Sequence, residues 1–188
     1  MPQNEQEVIE DVGRLHRDLL ERNSVAKKLE DYYRGRHPLA WVHRKARAEY
    51  VALVSQAVSN FPQLVVDSLN DRLTVTGFRV GDGADTALWD EWQRNQLDMR
   101  APMVQQQALV TGWSYVSVWD GKVRPESMYE VFTESDPGDL LNVRRGLKAW
   151  LNKFDKKWYA RYFADGNYVM LEAPAESGMD LKAESKDD

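Results

Sequence analysis

The chain has 188 residues, 43% of them in the AVILMFWYC set and 29% charged, which excludes wholesale disorder and leaves enough chain to enclose a core in one or two domains. No apolar stretch approaches the ~20 residues that a bilayer crossing requires, and the acidic opening Met1-Pro2-Gln3-Asn4-Glu5 lacks the basic-then-apolar pattern of a signal peptide, so a soluble, untargeted chain is expected. Zero cysteines exclude disulfide frameworks, thiolate metal sites and cysteine nucleophiles, while most of the net charge of −5 sits in residues 172–188, with 2 Lys/Arg against 6 Asp/Glu.

From Gln3 to about Asn23, Val8, Val12, Leu15 and Leu19 recur at steps of four, three and four, one stripe of an amphipathic helix that Ile9 and Leu20 widen. Asn23-Ser24 offers a break and an N-cap. Val25, Leu29, Tyr32 and Tyr33 continue at helical spacing until Gly35 and Pro38 stop the run. Residues 40–56 read as a further helix anchored by Trp41, Tyr50, Leu53 and Val54. Pro62 can occupy the first turn of another, whose apolar face is Leu64, Val65, Leu69 and Leu73. Leu73-Thr74-Val75-Thr76-Gly77-Phe78-Arg79-Val80 then alternates with β-branched residues and predicts a strand ending at Gly81-Asp82-Gly83. Two helices follow, Asp85 to Gln96 and Asp98 to Thr111, the second capped by Asp98 and closed by Gly112.

After Gly112 the period becomes two. Residues 113–119 alternate, Asp120-Gly121 is the preferred dipeptide of a tight hairpin, and Lys122-Val123-Arg124 begins the return. Further strands are expected at Tyr129 to Thr133, about Leu147 to Phe154, Trp158 to Phe163 and Tyr168 to Glu172. The class is therefore α+β, N-terminal helices followed by a mainly antiparallel β meander. A helical segment 1–60, an α+β domain 61–172 and a stretch 173–188 that is a mobile tail or a connection cut short are the expected divisions.

The chemistry-bearing residue types are sparse. His16, His37 and His43 show no i,i+4 pairing, so no metal site is expected, and no cofactor fingerprint appears. Asp67 and Asp71, four apart on a helix, could pair as a cation site or acid/base couple, although a solvated helix face is the commoner meaning of that spacing. Arg34, Arg36, Arg44, Lys45 and Arg47 form the one local basic run, suited to phosphates, an acidic neighbour or plain solvent. The near-neutral body argues against a clamp on nucleic acid. Trp89, Trp92, Trp113, Trp119, Trp150 and Trp158 sit at helix or strand spacing and suit core and interface packing better than base stacking. No catalytic triad order is present, and an enzyme is not expected.

The blocks Asp31-Tyr32-Tyr33-Arg34-Gly35, Asn60-Phe61-Pro62-Gln63-Leu64-Val65-Val66-Asp67, Leu73-Thr74-Val75-Thr76-Gly77-Phe78, Trp92-Gln93-Arg94-Asn95-Gln96-Leu97-Asp98 and residues 108–118, in that order and spacing, resemble the N-terminal region of siphophage portal proteins, particularly those of actinobacteriophages. Residues 130–137 are similar to that family's next strand and turn, so the resemblance covers about Tyr32 to Glu172. It implies a wing-like α+β fold and a ring, usually of about twelve subunits, at one capsid vertex, assembled in the host cytoplasm and carried in the virion. Implied partners are the chain itself, the major capsid protein, and double-stranded DNA passing through without sequence readout. The terminase large subunit and the head–tail adaptor would meet regions expected to lie outside this sequence, and no membrane is involved. The resemblance also implies that the protein hydrolyses nothing. Arg34, Arg36, Arg44, Lys45 and Arg47 are then candidate subunit, capsid or DNA contacts. The competing expectation is a free-standing nucleic-acid or adaptor-binding module that uses the same basic run.

Overall fold

The computed structural model describes residues 5–36, 50, 60–164 and 166–175. The chain divides into two compact units, one made of Met1–Asn23 with Glu126–Asp188 and the other of Ser24–Pro125. Four helices and eight strands are described, so the α+β expectation holds: α1 (Glu5–Tyr33), α2 (Phe61–Asn70), β1 (Arg79–Val80), β2 (Gly83–Ala84), α3 (Thr86–Arg94), α4 (Leu97–Thr111), β3 (Tyr115–Trp119), β4 (Lys122–Glu126), β5 (Val131–Asp136), β6 (Asp139–Asn152), β7 (Lys157–Ala164) and β8 (Asn167–Pro174).

The first unit is built on the stripe of α1. Val8, Val12, Leu15 and Leu19 are all buried, as their spacing predicts, while Ile9 is half-buried and Leu20 is exposed, so the stripe is narrower than the sequence suggests. They pack on one face of the four-stranded antiparallel sheet β5-β6-β7-β8. Cross-strand register fixes that face in rows: Leu147–Tyr162–Val169, Ala149–Ala160–Leu171 and Leu151–Trp158–Ala173. The two alanines of the middle row leave room for a helix to approach the sheet closely, and Leu15 and Leu19 share the buried cluster with them. Ala173 belongs to this core, so β8 runs on through Pro174 into residues that composition gives to a tail; residues 176–188 lie outside the described ones.

α1 does not break at Asn23-Ser24. The stripe spacing continues from Leu19 to Arg22 and Ala26, both buried, and the Asn23 amide is turned outward from the helix to donate to the Tyr129 carbonyl at 2.9 Å instead of capping. Arg22 enters the core side because its position on the stripe requires it, and its guanidinium donates to the carbonyls of Met128 and Val131 (2.7 Å to the latter) while lying 5.3 Å from the centre of the Phe132 ring. The turn from Met128 to Glu130 is thereby held by two side chains of α1. Gly35, at φ 69°, ends the helical run as expected.

In the second unit α2 begins with Pro62 in its first turn, as predicted. The strand expected over residues 73–80 is confined to Arg79–Val80, paired with Gly83–Ala84 across the Gly81-Asp82 turn; residues 73–78 enter no ladder. Asp85 caps α3, its carboxylate accepting from the Leu88 N–H at 3.0 Å. Asp98 does not cap α4. The N-cap is Gln96, in the left-handed region at φ 53°, and Asp98 lies in the first turn, where its charge still meets the positive end of the helix dipole. Gly112, at φ 84°, closes α4 with its N–H on the Ala108 carbonyl. Asp120 and Gly121 both take positive φ, 51° and 66°, as a type I′ hairpin between β3 and β4 demands. β6 starts at Asp139, well before Leu147, because the Pro137-Gly138 turn folds directly into it; its charged first half pairs with β5 through register shifts at Glu134/Ser135 and Ser135/Asp136. The helix expected over 40–56 lies outside the described residues apart from Tyr50, which is helical.

Candidate functional site

Two of the sequence blocks, 31–35 and 60–67, converge on one carboxylate. The Tyr33 hydroxyl donates to Asp67 Oδ1 at 2.7 Å, and Gln106 Nε2 of α4 donates to Tyr33 Oη at 2.8 Å and to Asp67 Oδ1 at 3.3 Å. Burial first, and the Asp67 carboxylate second, push the Tyr33 phenol up from its ordinary value. Beside this tie, a Cβ on Gly35 would stand 3.4 Å from the Asn60 side chain, and Asn60 Nδ2 donates to Gln63 Oε1 at 2.7 Å. Asp67 thus faces a phenol and an amide. Asp71 lies exposed at the C-terminal cap of α2, and among the described residues no group of three or more His, Asp and Glu is placed to hold a metal ion. The two carboxylates do not form an acid/base couple.

Asn95 makes a second tie. Buried at the end of α3, its Nδ2 donates to the Glu91 carbonyl (3.0 Å) and the Gly121 carbonyl (3.2 Å), and its Oδ1 accepts from the Val123 N–H (2.9 Å). Arg100 of α4 donates to the Val123 carbonyl at 2.8 Å. The β3–β4 hairpin is therefore fastened at its turn, which a two-stranded ribbon needs because it is marginal alone. Asn95→Ala is expected to cost about 2 kcal/mol, since it orphans backbone groups in a buried place, and to speed hydrogen exchange at Val123 in nuclear magnetic resonance spectra. Beyond this tie, Phe78, Trp89 and Trp92 make a ring cluster, with Trp89 and Trp92 stacked at 6.4 Å and Phe78 edge-on to Trp92 at 5.5 Å. These tryptophans pack, as their helical spacing suggests.

In the other unit a polar network borders the core. Asp11 accepts from Arg145 at 2.9 Å, from Arg14 at 3.3 Å and from the buried Tyr162 hydroxyl at 2.9 Å, while Arg14 grips both oxygens of Glu134 at 2.8 and 3.2 Å. The Arg14 hydrogen bonds hold the Glu134 carboxyl below its ordinary value of 4.5. Because the folded value is the lower one, the stabilisation is complete above pH 4.5 and is lost as the pH falls through the folded value. Both groups are more than a third exposed, so a few tenths of a kcal/mol is the expected size. Thermal melts from pH 7 to 3 are expected to show a shallower acid decline for Glu134→Gln than for the native chain. On the opposite face of the sheet Trp150 stacks on Tyr159 at 5.7 Å, and Arg161 lies 5.3 Å from the centre of the Tyr168 ring.

Of the predicted basic run, Arg34 pairs with Glu30 one helical turn back and Arg36 with Asp31 at 3.1 Å, so these two cations are half-neutralised by their own helix; both stay exposed. Arg44, Lys45 and Arg47 lie outside the described residues. The sequence pattern missed a larger surface feature. α2 buries none of its residues, leaving Phe61, Leu64 and Val65 63–67% exposed, and Met99 and Met103, one turn apart on α4, are 71% and 64% exposed. Val116 and Val118 of β3 are exposed as well. Apolar faces of this kind on several elements of one unit suit protein contacts rather than catalysis.

Residues 14–174 match the family model described as phage portal protein, SPP1 Gp6-like. The portal protein of Mycobacterium phage D29 is 39% identical over 92 residues, covering 41% of this chain and 19% of the relative. The portal protein of Mycobacterium phage L5 is 36% identical over 112 residues, covering 52% and 22%. The chain spans about a fifth of the length of these curated relatives.

Proposed function

We propose, because this chain belongs to the SPP1 Gp6-like family of phage portal proteins, that it assembles with copies of itself into a ring at one capsid vertex, a conduit through which DNA is packaged and later ejected. The family is a structural one, and no helix among the described residues is long and apolar enough to cross a membrane. The observation that carries the reading is the family match over residues 14–174. Charge and surface support it. The chain's acidic excess is concentrated in residues 172–188, so the remainder presents little net charge to a duplex sliding past and would not capture phosphates through counterion release. The exposed apolar side chains of α2, α4 and β3 suit burial against other protein.

On this reading the chain does no bond-breaking chemistry. Translocation work comes from a separate terminase motor, and the portal supplies a rigid, repeated collar that meets capsid protein outside and DNA inside. The basic residues Arg34, Arg36, Arg44, Lys45 and Arg47 remain proposed contacts on a subunit or capsid face. Native mass spectrometry and negative-stain electron microscopy of the complete gene product are expected to show closed rings of about twelve subunits, the family's usual number, since heterologous interfaces that close make rings. Solitary monomers with salt-sensitive DNA affinity would instead favour a free-standing binding module.

A further inference from the structure

Between α2 and β1 runs Leu73-Thr74-Val75-Thr76-Gly77-Phe78, rich in β-branched and aromatic residues yet outside every ladder. Its ends are tied: the Leu73 N–H bonds the Asn70 carbonyl at 3.0 Å and the Phe78 carbonyl accepts the Asp85 N–H at 2.9 Å, with the Phe78 ring seated against Trp89 and Trp92. Thr74, Val75, Thr76 and Gly77 between them make no hydrogen bond, and Leu73, Thr74, Thr76 and Gly77 are exposed. A stretch with strand composition, held at both ends and with free backbone donors and acceptors, is prepared for strand addition at little ordering cost.

We propose that this segment is a strand donated to a second copy of the chain, adding to an outer edge of the neighbour's four-stranded sheet. The inference rests on the ring reading and names one of its subunit contacts. Six extended residues span roughly 20 Å, the length of an ordinary strand, and match the six residues of β5 or most of the eight of β8. Those outer strands carry none of the lysines or arginines with which natural edges repel an added strand, and their acids Glu134, Asp136 and Glu172 are paired with Arg14, Arg144 and Lys157 of the same chain. The donated segment is itself uncharged, so it brings no like charge to oppose pairing with either outer strand. A strand on one patch and a sheet edge on another are two different surfaces, the requirement for a contact that propagates around a ring; pairing of the segment with its own copy would close a two-fold dimer and stop.

Hydrogen exchange by mass spectrometry on the complete gene product tests this, comparing assembled rings with the dissociated chain. Thr74 to Gly77 are expected to exchange freely in the dissociated chain and at least about tenfold more slowly in the ring, together with amides of β5 or β8. Thr76→Pro removes one N–H that is unbonded in the single chain, so circular dichroism and melting should be unchanged while assembly weakens about tenfold or more; Thr76→Ser, which keeps the N–H, should assemble as the native chain does. Rings that form with residues 74–77 still exchanging freely would overturn the inference and leave the ring reading intact. Protection already present in the dissociated chain would overturn it too, by placing the strand's partner within the same subunit. A native chain that never forms rings would remove both.

Discussion

Replacing Leu15 by alanine is expected to lower the unfolding free energy of the helix–sheet unit by about 3 kcal/mol, within the range seen for fully buried leucines. Leu15 has no solvent exposure and belongs to the buried cluster that joins Val12 and Leu19 to Leu147, Ala149, Ala160, Tyr162 and Leu171 of the sheet. Helix and sheet backbone hold that cluster apart, so the vacated volume stays largely a cavity. A unit of this size should melt roughly 12–24 °C lower. Leu20→Ala on the same helix, at a side chain 55% exposed, should change stability by no more than about 0.5 kcal/mol. Denaturant unfolding followed by circular dichroism separates the two; equal effects would mean that α1 is not the unit's packing element.

That contrast marks how far sequence reaches. The stripe Val8, Val12, Leu15 and Leu19 was legible because burial and periodicity are the same signal in an amphipathic helix. The Asp120-Gly121 hairpin and the Gly112 terminus were legible because positive φ restricts the residue type. What escaped depends on contacts between distant residues. Tyr33, Asp67 and Gln106 are separated by 34 and 39 positions, and no pattern in any window announces that they meet. Asn95 looked like the end of a helix and is a clamp on a hairpin. The 73–78 segment shows the converse: its local preference for a strand is plain, but a ladder needs a partner, and among the described residues no strand pairs with it. The candidate site was the least legible part, because contact surfaces are defined by which apolar residues a fold leaves uncovered. Phe61, Leu64 and Val65 have the spacing of a buried face, and only the structure shows that face open.

Arg22 carries the second large expected effect, and the reason it was overlooked is the reason it matters. It occupies a stripe position, three residues after Leu19 and four before Ala26, where an apolar side chain is expected, and it is 8% exposed. Burying a guanidinium is tolerable only when its hydrogen bonds are made, and here the Met128 and Val131 carbonyls and the Phe132 ring supply partners. Met128 is itself fully buried, so these contacts close the turn that leads into β5 over the core. Arg22→Ala would remove the stem's packing and strand two inward-facing carbonyls, a loss of about 3 kcal/mol or more. Arg22→Met keeps the stem volume and should recover part of that, roughly 1 kcal/mol, leaving the carbonyls unpaired. Arg22→Lys should not restore the native value, because both carbonyls are met by the terminal Nη2 of the guanidinium, which the shorter lysine side chain does not reach while keeping a planar cation over the Phe132 ring. The order native, then Met or Lys, then Ala in denaturant midpoints, with amide exchange in β5 rising in the same order, is the expected result. A native-like Arg22→Ala would show that the turn is held by the Asn23–Tyr129 bond alone.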